Sequence, residues 1–122
     1  MYQASASSLV VVAKVWETVA GHNITVIDKN PDQLNRIVSN LDLEGITGSS
    51  TSIGTLTQAD VQRADLVIGV TSSEDVNLTT CIIAKHLSAK KTVARISNVE
   101  FLMSREKLDL CKVGIDELIS PA

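Results

Sequence analysis

Short β-branched segments alternate with amphipathic segments along most of this 122-residue chain. This alternation restricts the fold strongly, because strands and amphipathic helices bury apolar side chains with different periods. The segment Ala64–Ser73 is apolar on both faces, as a central parallel strand should be. Strands separated by helices at this spacing predict a parallel sheet with helices on both faces. The predicted strands are Ile24–Ile27, Leu43–Ser50, Ala64–Ser73, Lys91–Ser97 and Gly114–Pro121.

The segments between these strands carry helix signals. Asn30 is a typical N-cap residue, and Pro31 suits the first turn because it has no N–H to leave unpaired. A longer helix is predicted over Glu74–Ala89, and Ser72 with Asp75 fits an S-x-x-D capping box at its start. Short right-handed connections then favour an α/β fold with a doubly wound, Rossmann-like parallel sheet. The predicted buried stripe of the longer helix is Val76, Leu78, Ile82, Ile83 and Leu87. Shorter helices are predicted within Thr55–Ala64 and over Asn98–Leu110.

The segment before Ile24 admits two interpretations. Apolar residues recur at helical spacing between Leu9 and Ala20, which favours a helix from about Ser8 to Ala20 that stops at Gly21. That helix leaves only Met1–Ala4 for the first strand. The β-branched run LVVVA supports the alternative, in which SLVVV (residues 8–12) is itself the first strand.

Composition limits the classes of function of this single domain, residues 1–122. A net charge of −3 and one residue each of Trp, Tyr and Phe argue against nucleic-acid binding. No apolar run approaches the roughly 20 residues of a membrane span, so direct membrane insertion is not expected. Cys81 and Cys111 form no CxxC motif and are expected to be reduced thiols in a cytosolic protein. His22 and His86 lack neighbouring ligands, so no metal site is predicted.

Polar residues follow several predicted strands, and ligands of open α/β sheets bind outside the carboxyl ends of the strands. Asp28 lies about twenty residues beyond the opening loop, and an acid at that spacing accepts hydrogen bonds from ribose hydroxyls. The alternative interpretation is a solvated acid at the end of a strand. Arg95 lies within a strand and needs an anionic partner, either a bound phosphate or a carboxylate such as Asp28. Ser50 and Ser73 also follow strands. The candidate cofactor-binding residues are Ser5, Ala6, Ser7, Ser8, Leu9, Asp28, Lys29, Gly48, Ser49, Thr51, Thr71, Ser72 and Arg95.

Catalysis is not predicted. The only tyrosine, Tyr2, lies at the wrong end of the chain for a dehydrogenase Tyr–Lys pair. The sequence has no G-x-S-x-G elbow, no Walker loop and no Cys–His arrangement. A binding module is therefore expected rather than an enzyme.

Four segments, NITVIDKN, ADLVIGVTSSEDVNL, VARISN and GIDELISP, resemble in this order the N-terminal RCK (KTN) domain of the TrkA family. The resemblance covers about Gly21–Pro121. It implies a cytoplasmic regulatory domain at the inner face of the cell membrane that binds NAD or NADH, or in relatives ATP, ADP or AMP. The implied partners are a Trk- or Ktr-type membrane potassium transporter subunit and further copies of the chain, in a dimer or larger ring.

The same resemblance implies roles for individual residues. Asp28 would hold the adenosine ribose, Thr71 and Ser72 would line the dinucleotide site, and Gly48–Thr51 would lie near the adenine. Arg95 would contact phosphate or the distal ribose. Independently of the resemblance, the position of Ser5–Ser8 before a predicted helix favours either a helix N-cap or a phosphate-binding turn.

The opening loop departs from the family's G-x-G-x-x-G pattern, because no register places a glycine there. The Cβ atoms added at these positions predict weakened or altered nucleotide binding. The alternatives are a degenerate RCK domain that acts as an assembly scaffold without nucleotide, and a small NAD-dependent oxidoreductase. Because the family continues into a C-terminal subdomain, the chain is expected to be a fragment of a longer one. The G-x-G-x-x-G pattern can be aligned in three registers. Its glycine positions are then occupied by Ser5, Ser7 and Val10, by Ala4, Ala6 and Leu9, or by Val11, Ala13 and Trp16.

Overall fold

The computed structural model describes residues 9–14, 24–39, 43–97 and 110–120. In these ranges the chain forms a six-stranded sheet with the strand order β3-β2-β1-β4-β5-β6. This is the order of doubly wound dinucleotide-binding folds, so the Rossmann-like α/β class is confirmed. The strands are β1 (Val10–Ala13), β2 (Ile24–Asp28), β3 (Glu44–Thr47), β4 (Leu66–Gly69), β5 (Thr92–Arg95) and β6 (Glu117–Ile119).

The first strand differs from the favoured prediction in position and in direction. Val10–Ala13 is a strand, so the predicted helix from Ser8 is wrong at these residues, and SLVVV is the better placement of the first strand. β1 runs antiparallel to both neighbours, with Val10 opposite Ile27 and Gly69, whereas β2–β3, β4–β5 and β5–β6 are parallel pairs. The predicted strand Met1–Ala4 and the rest of the predicted helix lie outside the described residues.

The short link between β1 and β2 accounts for the direction of β1. Only residues 14–23 separate the two strands. A parallel pair needs a crossover of a dozen or more residues, whereas an antiparallel pair needs only a short connection. Three consecutive valines favour extended backbone, and Val10 and Val12 are fully buried in the sheet centre. The sheet is therefore mixed rather than all parallel.

The helices flank the sheet as predicted, and their caps account for their starting points. The Asn30 side chain accepts hydrogen bonds from the N–H groups of Asp32 (2.9 Å) and Gln33 (3.2 Å), as its sequence position predicts. Ser73, not Ser72, caps the long helix by accepting from Val76 N at 3.3 Å. The helices are α1 (Pro31–Val38), α2 (Ile53–Gln58), α3 (Glu74–His86) and α4 (Leu110–Val113), with a 3-10 turn at Val61–Arg63. Apart from Leu110, the predicted helix Asn98–Leu110 lies outside the described residues.

The two faces of the sheet carry separate apolar clusters. α1 covers one face through Leu34, which packs with Val26 and Leu43. On the other face α2, the 3-10 turn and α3 cover the larger cluster that contains Val10, Val12 and Ile27. Within the described ranges, no helix is long and apolar enough to cross a membrane.

The predicted buried stripe of α3 is wrong in detail. The buried residues of this helix are Asn77, Thr80, Cys81 and Ala84, whereas the predicted Leu, Ile and Val side chains are only half-buried at its flanks. Close approach of α3 to β4 explains the difference. A Cβ on Gly69 would lie 3.1 Å from Asn77 Cα, so there is no room for large side chains where this helix crosses the strand.

Candidate functional site

The carboxyl ends of β2 to β6 lie at one edge of the sheet. β2 and β4 are each antiparallel to β1 and are therefore parallel to each other. A cleft of about 210 Å³ opens at this edge. It is lined by Lys29, Ser49, Ser50, Thr51, Thr71, Ser72, Ser73 and Val76. The fold thus brings together five of the residues predicted for the site, namely Lys29, Ser49, Thr51, Thr71 and Ser72.

Asp28 ends β2 and is fully buried. Its Oδ1 atom accepts a hydrogen bond from Asn30 N at 2.9 Å. Its Oδ2 atom is buried and has no partner, the single such side-chain atom in the part of the chain that the structure describes. An unpaired buried acceptor is costly. Asp28 lies at the carboxyl edge of the sheet but is not among the residues that line the cleft. Asp28 is therefore not the solvated acid of the alternative interpretation.

The loop after β3 is held to its surroundings by hydrogen bonds at both ends. Gly48 N donates to the Asp28 carbonyl at 3.0 Å, so the ends of β2 and β3 are joined directly. The hydroxyl oxygens of Ser49 and Thr51 lie 2.9 Å apart. The Ser50 carbonyl accepts a hydrogen bond from the Thr80 hydroxyl of α3 at 3.0 Å. This loop presents hydroxyl groups to the cleft from a fixed backbone.

The loop after β4 is organised around Asn77, whose role the sequence analysis missed. The Asn77 Oδ1 atom accepts from Thr71 N at 2.8 Å and lies 2.7 Å from the Thr71 hydroxyl oxygen. Its Nδ2 group donates to the carbonyls of Thr71 (3.1 Å) and Arg95 (2.9 Å). An asparagine among the apolar residues of a helix was the available signal, because buried amides need partners. Ser72 is exposed at the rim of the cleft.

Arg95 ends β5 and is half-buried. Ala94 packs on Cys81 of α3, so Arg95 points to the opposite face of the sheet. Asp28 is on that face too, because it alternates with Ile27, which packs in the α3-side cluster. With three strand spacings between β2 and β5, the two side chains start about 14 Å apart. They form no ion pair with each other, and Arg95 is not part of the cleft wall.

The N-terminal candidates are only partly described. Ser5, Ala6, Ser7 and Ser8 lie outside the described residues. The Leu9 carbonyl accepts from Val70 N at 3.2 Å, which places Leu9 at the cleft edge of the sheet. Because β1 is reversed, the residue after the strand, Lys14, lies at the other edge, 3.3 Å from Asp60. A phosphate-binding turn directly after β1 would therefore be remote from the cleft.

The wall of the cleft is mainly polar. The wall contains six serine and threonine side chains, one valine side chain and one lysine ammonium group. Burial raises the pKa of the Cys81 thiol to about 12, and that thiol donates to the Val93 carbonyl, so it is not a nucleophile at neutral pH. Among the described residues, no group of three His, Cys, Asp or Glu side chains is arranged to hold a metal ion.

Comparisons with known proteins match most of the chain to one family. The family model of the TrkA-N domain matches residues 10–121. The Trk system potassium uptake protein TrkA homolog of Methanothermobacter thermautotrophicus is 34% identical over 101 residues, covering 83% of this chain and 44% of that protein. The Trk system potassium uptake protein TrkA of Vibrio alginolyticus is 32% identical over 109 residues, covering 86% of this chain and 24% of that protein.

A solved structure shares the fold. The GsuK channel bound to NAD aligns with a TM-score of 0.64 at 19% identity, covering 78% of this chain and 16% of the channel chain. The chain thus spans less than half the length of these two curated relatives and about one sixth of the length of the channel chain.

Proposed function

Because the chain belongs to the TrkA-N domain family, we propose that it is a nucleotide-binding regulatory domain of a potassium uptake system. In this proposal the ligand is NAD or NADH, bound over the cleft at the carboxyl edge. The domain acts on the cytoplasmic side of the membrane, as a homo-oligomer attached to a membrane potassium transporter subunit. The names of its relatives and the NAD-bound structure with the same fold support the proposal.

The unpaired Oδ2 atom of Asp28 is the observation that carries the nucleotide proposal. A carboxylate is an acceptor only, and a ribose 2′- or 3′-hydroxyl is a donor of the right kind to satisfy it. The negative charge would also disfavour a 2′-phosphate, so NAD is preferred over NADP. Asp28 thus fits the adenosine ribose. Because Asp28 is fully buried, the groups that cover its Oδ2 atom must move aside when the ligand binds.

The other residues supply weaker and more general contacts. Hydroxyls of Ser49, Thr51 and Ser72 donate to or accept from the ligand, and the Lys29 ammonium attracts its phosphates. Gly48 lies beside the adenine end, and Arg95 meets a phosphate or the distal ribose beyond the cleft. Ser5, Ala6, Ser7, Ser8 and Leu9 replace the glycine-rich loop in this proposal. Because ligand pockets usually measure about 300–1,000 Å³, the cleft of about 210 Å³ takes only part of a dinucleotide.

The reversed β1 favours a second candidate function, an assembly scaffold that binds no nucleotide. In the Rossmann arrangement the turn after the first strand holds the pyrophosphate. Here the end of β1, Ala13, lies opposite Ile24 and Leu66, at the amino edge of the sheet. A scaffold needs only the fold and its contacts with other subunits.

Isothermal titration with NADH, NAD and ATP distinguishes the two functions. We expect NADH to bind with a measurable dissociation constant and Asp28→Asn to weaken it roughly tenfold, because a charged acceptor is lost. Asp32→Asn is the matched control, since Asp32 carries the same charge on the exposed first turn of α1. No heat of binding for any of the three nucleotides up to millimolar concentration would eliminate the sensor and leave the scaffold.

A further inference from the structure

The buried side of α3 carries two polar residues at the end nearest the cleft. Asn77 and Thr80 are 1% and 0% exposed. One turn further along, the same side continues with Cys81 and Ala84, which are apolar in character and also fully buried. Burying an amide and a hydroxyl costs free energy unless both are hydrogen-bonded. Their partners therefore explain why polar residues stand here.

Those partners lie in two loops and at the end of one strand, all at the carboxyl edge. Thr80 bonds to Ser50 in the loop after β3. Asn77 bonds to Thr71 in the loop after β4 and to the carbonyl of Arg95 at the end of β5. Ser50 and Thr71 are themselves part of the cleft wall, and both are 5% exposed.

The geometry at Asn77 leaves little freedom. All of its amide capacity is used, with two donated and two accepted hydrogen bonds at 2.7–3.1 Å. The orientation of the amide is fixed, because a backbone N–H faces one side and two carbonyls face the other. A third link comes from Glu74 at the start of α3, whose carboxylate accepts from Ser97 N at 3.0 Å. One helix is thus bonded to every loop that follows β3, β4 and β5.

From this arrangement we infer that Asn77 and Thr80 are positioning residues for the nucleotide site, an inference that rests on the proposed function. They do not contact the ligand. They hold the Ser49–Thr51 and Thr71–Ser73 loops in the arrangement that receives it, so that less conformational freedom is lost on binding. Gly69 permits this by letting α3 approach β4, since a Cβ there would meet the backbone of Asn77.

Thr80→Val and Thr92→Val form a matched pair that tests the inference. Both threonines are fully buried, and both hydroxyls donate to a backbone carbonyl, Ser50 for Thr80 and Gly114 for Thr92. Thr92, however, begins β5 and lies at the amino edge, away from the cleft. Each hydroxyl has a second partner as well, Ser50 Oγ for Thr80 (3.2 Å) and Asp116 N for Thr92 (3.2 Å). Each substitution keeps the side-chain shape and removes two hydrogen bonds, so we expect similar losses of thermal stability.

Only Thr80→Val is expected to affect the site. NADH affinity should fall about fivefold, the equivalent of one hydrogen bond, and hydrogen exchange of the Ser49–Thr51 amides should accelerate in the ligand-free protein. Thr92→Val should leave both at wild-type values. The inference is overturned if the two variants change affinity and loop exchange alike, because the hydroxyls would then serve stability alone.

The exchange measurement separates this inference from the proposed function. If the wild type binds no nucleotide, the proposed function fails, and the contrast in loop exchange between the two variants decides whether α3 holds the loops. Asn77→Asp keeps the side-chain shape and loses both donated bonds, so exchange at Thr71–Ser73 should rise. If Asn77→Asp does not fold, the Thr80→Val comparison decides.

Discussion

Cys81 and Cys111 are the same residue type in opposite surroundings. Cys81 is fully buried on α3 and donates to the Val93 carbonyl, whereas Cys111 is exposed on α4. Burial disfavours the thiolate and raises the pKa of Cys81 to about 12. Thiol reactivity therefore follows from position rather than from residue type.

In the native protein we expect one thiol, Cys111, to react rapidly with a thiol reagent and the other, Cys81, not to react. At pH 8 a thiol-specific chromogenic disulfide should titrate Cys111 only, because the thiolate is the reactive form. The second equivalent should appear once the protein is unfolded in guanidinium chloride. Cys111→Ser should abolish the fast phase, and a fast phase that survived it would contradict the burial of Cys81.

At the scale of elements, β1 shows how little a short apolar strand specifies. Val10 and Val12 share one face, so the same valines are buried whether the strand runs up or down. Its direction comes from the link to β2 and from pairing on both sides, with Ala13 opposite Ile24 and Leu66. The adjacent α1 is the contrary case, because Asn30 and Pro31 mark its start locally.

A disulfide pair tests the direction of β1. In a Cys111→Ser background, Ala13→Cys with Ile24→Cys should form a disulfide under mild oxidation, because opposite residues of an antiparallel pair lie about 4.5–5.5 Å apart. Leu9→Cys with Ile24→Cys is the control, since Leu9 lies at the far end of β1 and should remain reduced. Cross-linking of the control pair instead would indicate a parallel β1.

For the whole molecule, the two edges of the sheet differ in chemistry. Lysine–carboxylate pairs stand at the amino edge, whereas the cleft at the carboxyl edge is lined mainly by hydroxyls. Asp116 is bonded twice through one oxygen, because its Oδ2 accepts from Lys85 Nζ and Thr92 N, each at 2.8 Å. Among the residues that the structure describes, the amino-edge pairs include Lys14–Asp60, Lys85–Asp116, Lys90–Asp65 and Lys91–Glu117.

The Asp116 cluster predicts a dependence of stability on pH. Partial burial opposes ionisation, but the bonds from Lys85 and Thr92 outweigh it and hold the pKa of Asp116 below its ordinary value. A carboxyl with a lowered folded pKa stabilises above its unfolded pKa of about 3.9, and this contribution is lost as the pH falls through the folded pKa.

Urea unfolding of Asp116→Asn checks this dependence. We expect a loss of about 1 kcal/mol at pH 7 and a smaller difference from wild type at pH 3. Glu44→Gln, an exposed carboxylate at the start of β3, should differ little from wild type at either pH. A deficit of Asp116→Asn that is equal at both pH values would show that charge plays no part.

The amino-acid sequence by itself determined the α/β class, the places of β2 to β6 and the start of α1. These depend on local signals: β-branched runs, hydrophobic period and capping side chains. It also placed Asp28, Ser49, Thr51, Thr71 and Ser72 at strand ends, and strand ends that share an edge meet in space. The family resemblance, confirmed by the match to residues 10–121, rests on the same segments.

Only the tertiary structure decided the direction of β1, the buried side of α3 and the unpaired oxygen of Asp28. The first two depend in part on residues that are distant in sequence. The direction of β1 depends on β4 as well as β2, and the choice of Asn77 over Leu78 for the buried side depends on Gly69. The Asp28 oxygen has no partner although the residue is fully buried. Local propensity does not predict such contacts, because the residues that make them are far apart in the sequence and meet only in the folded protein.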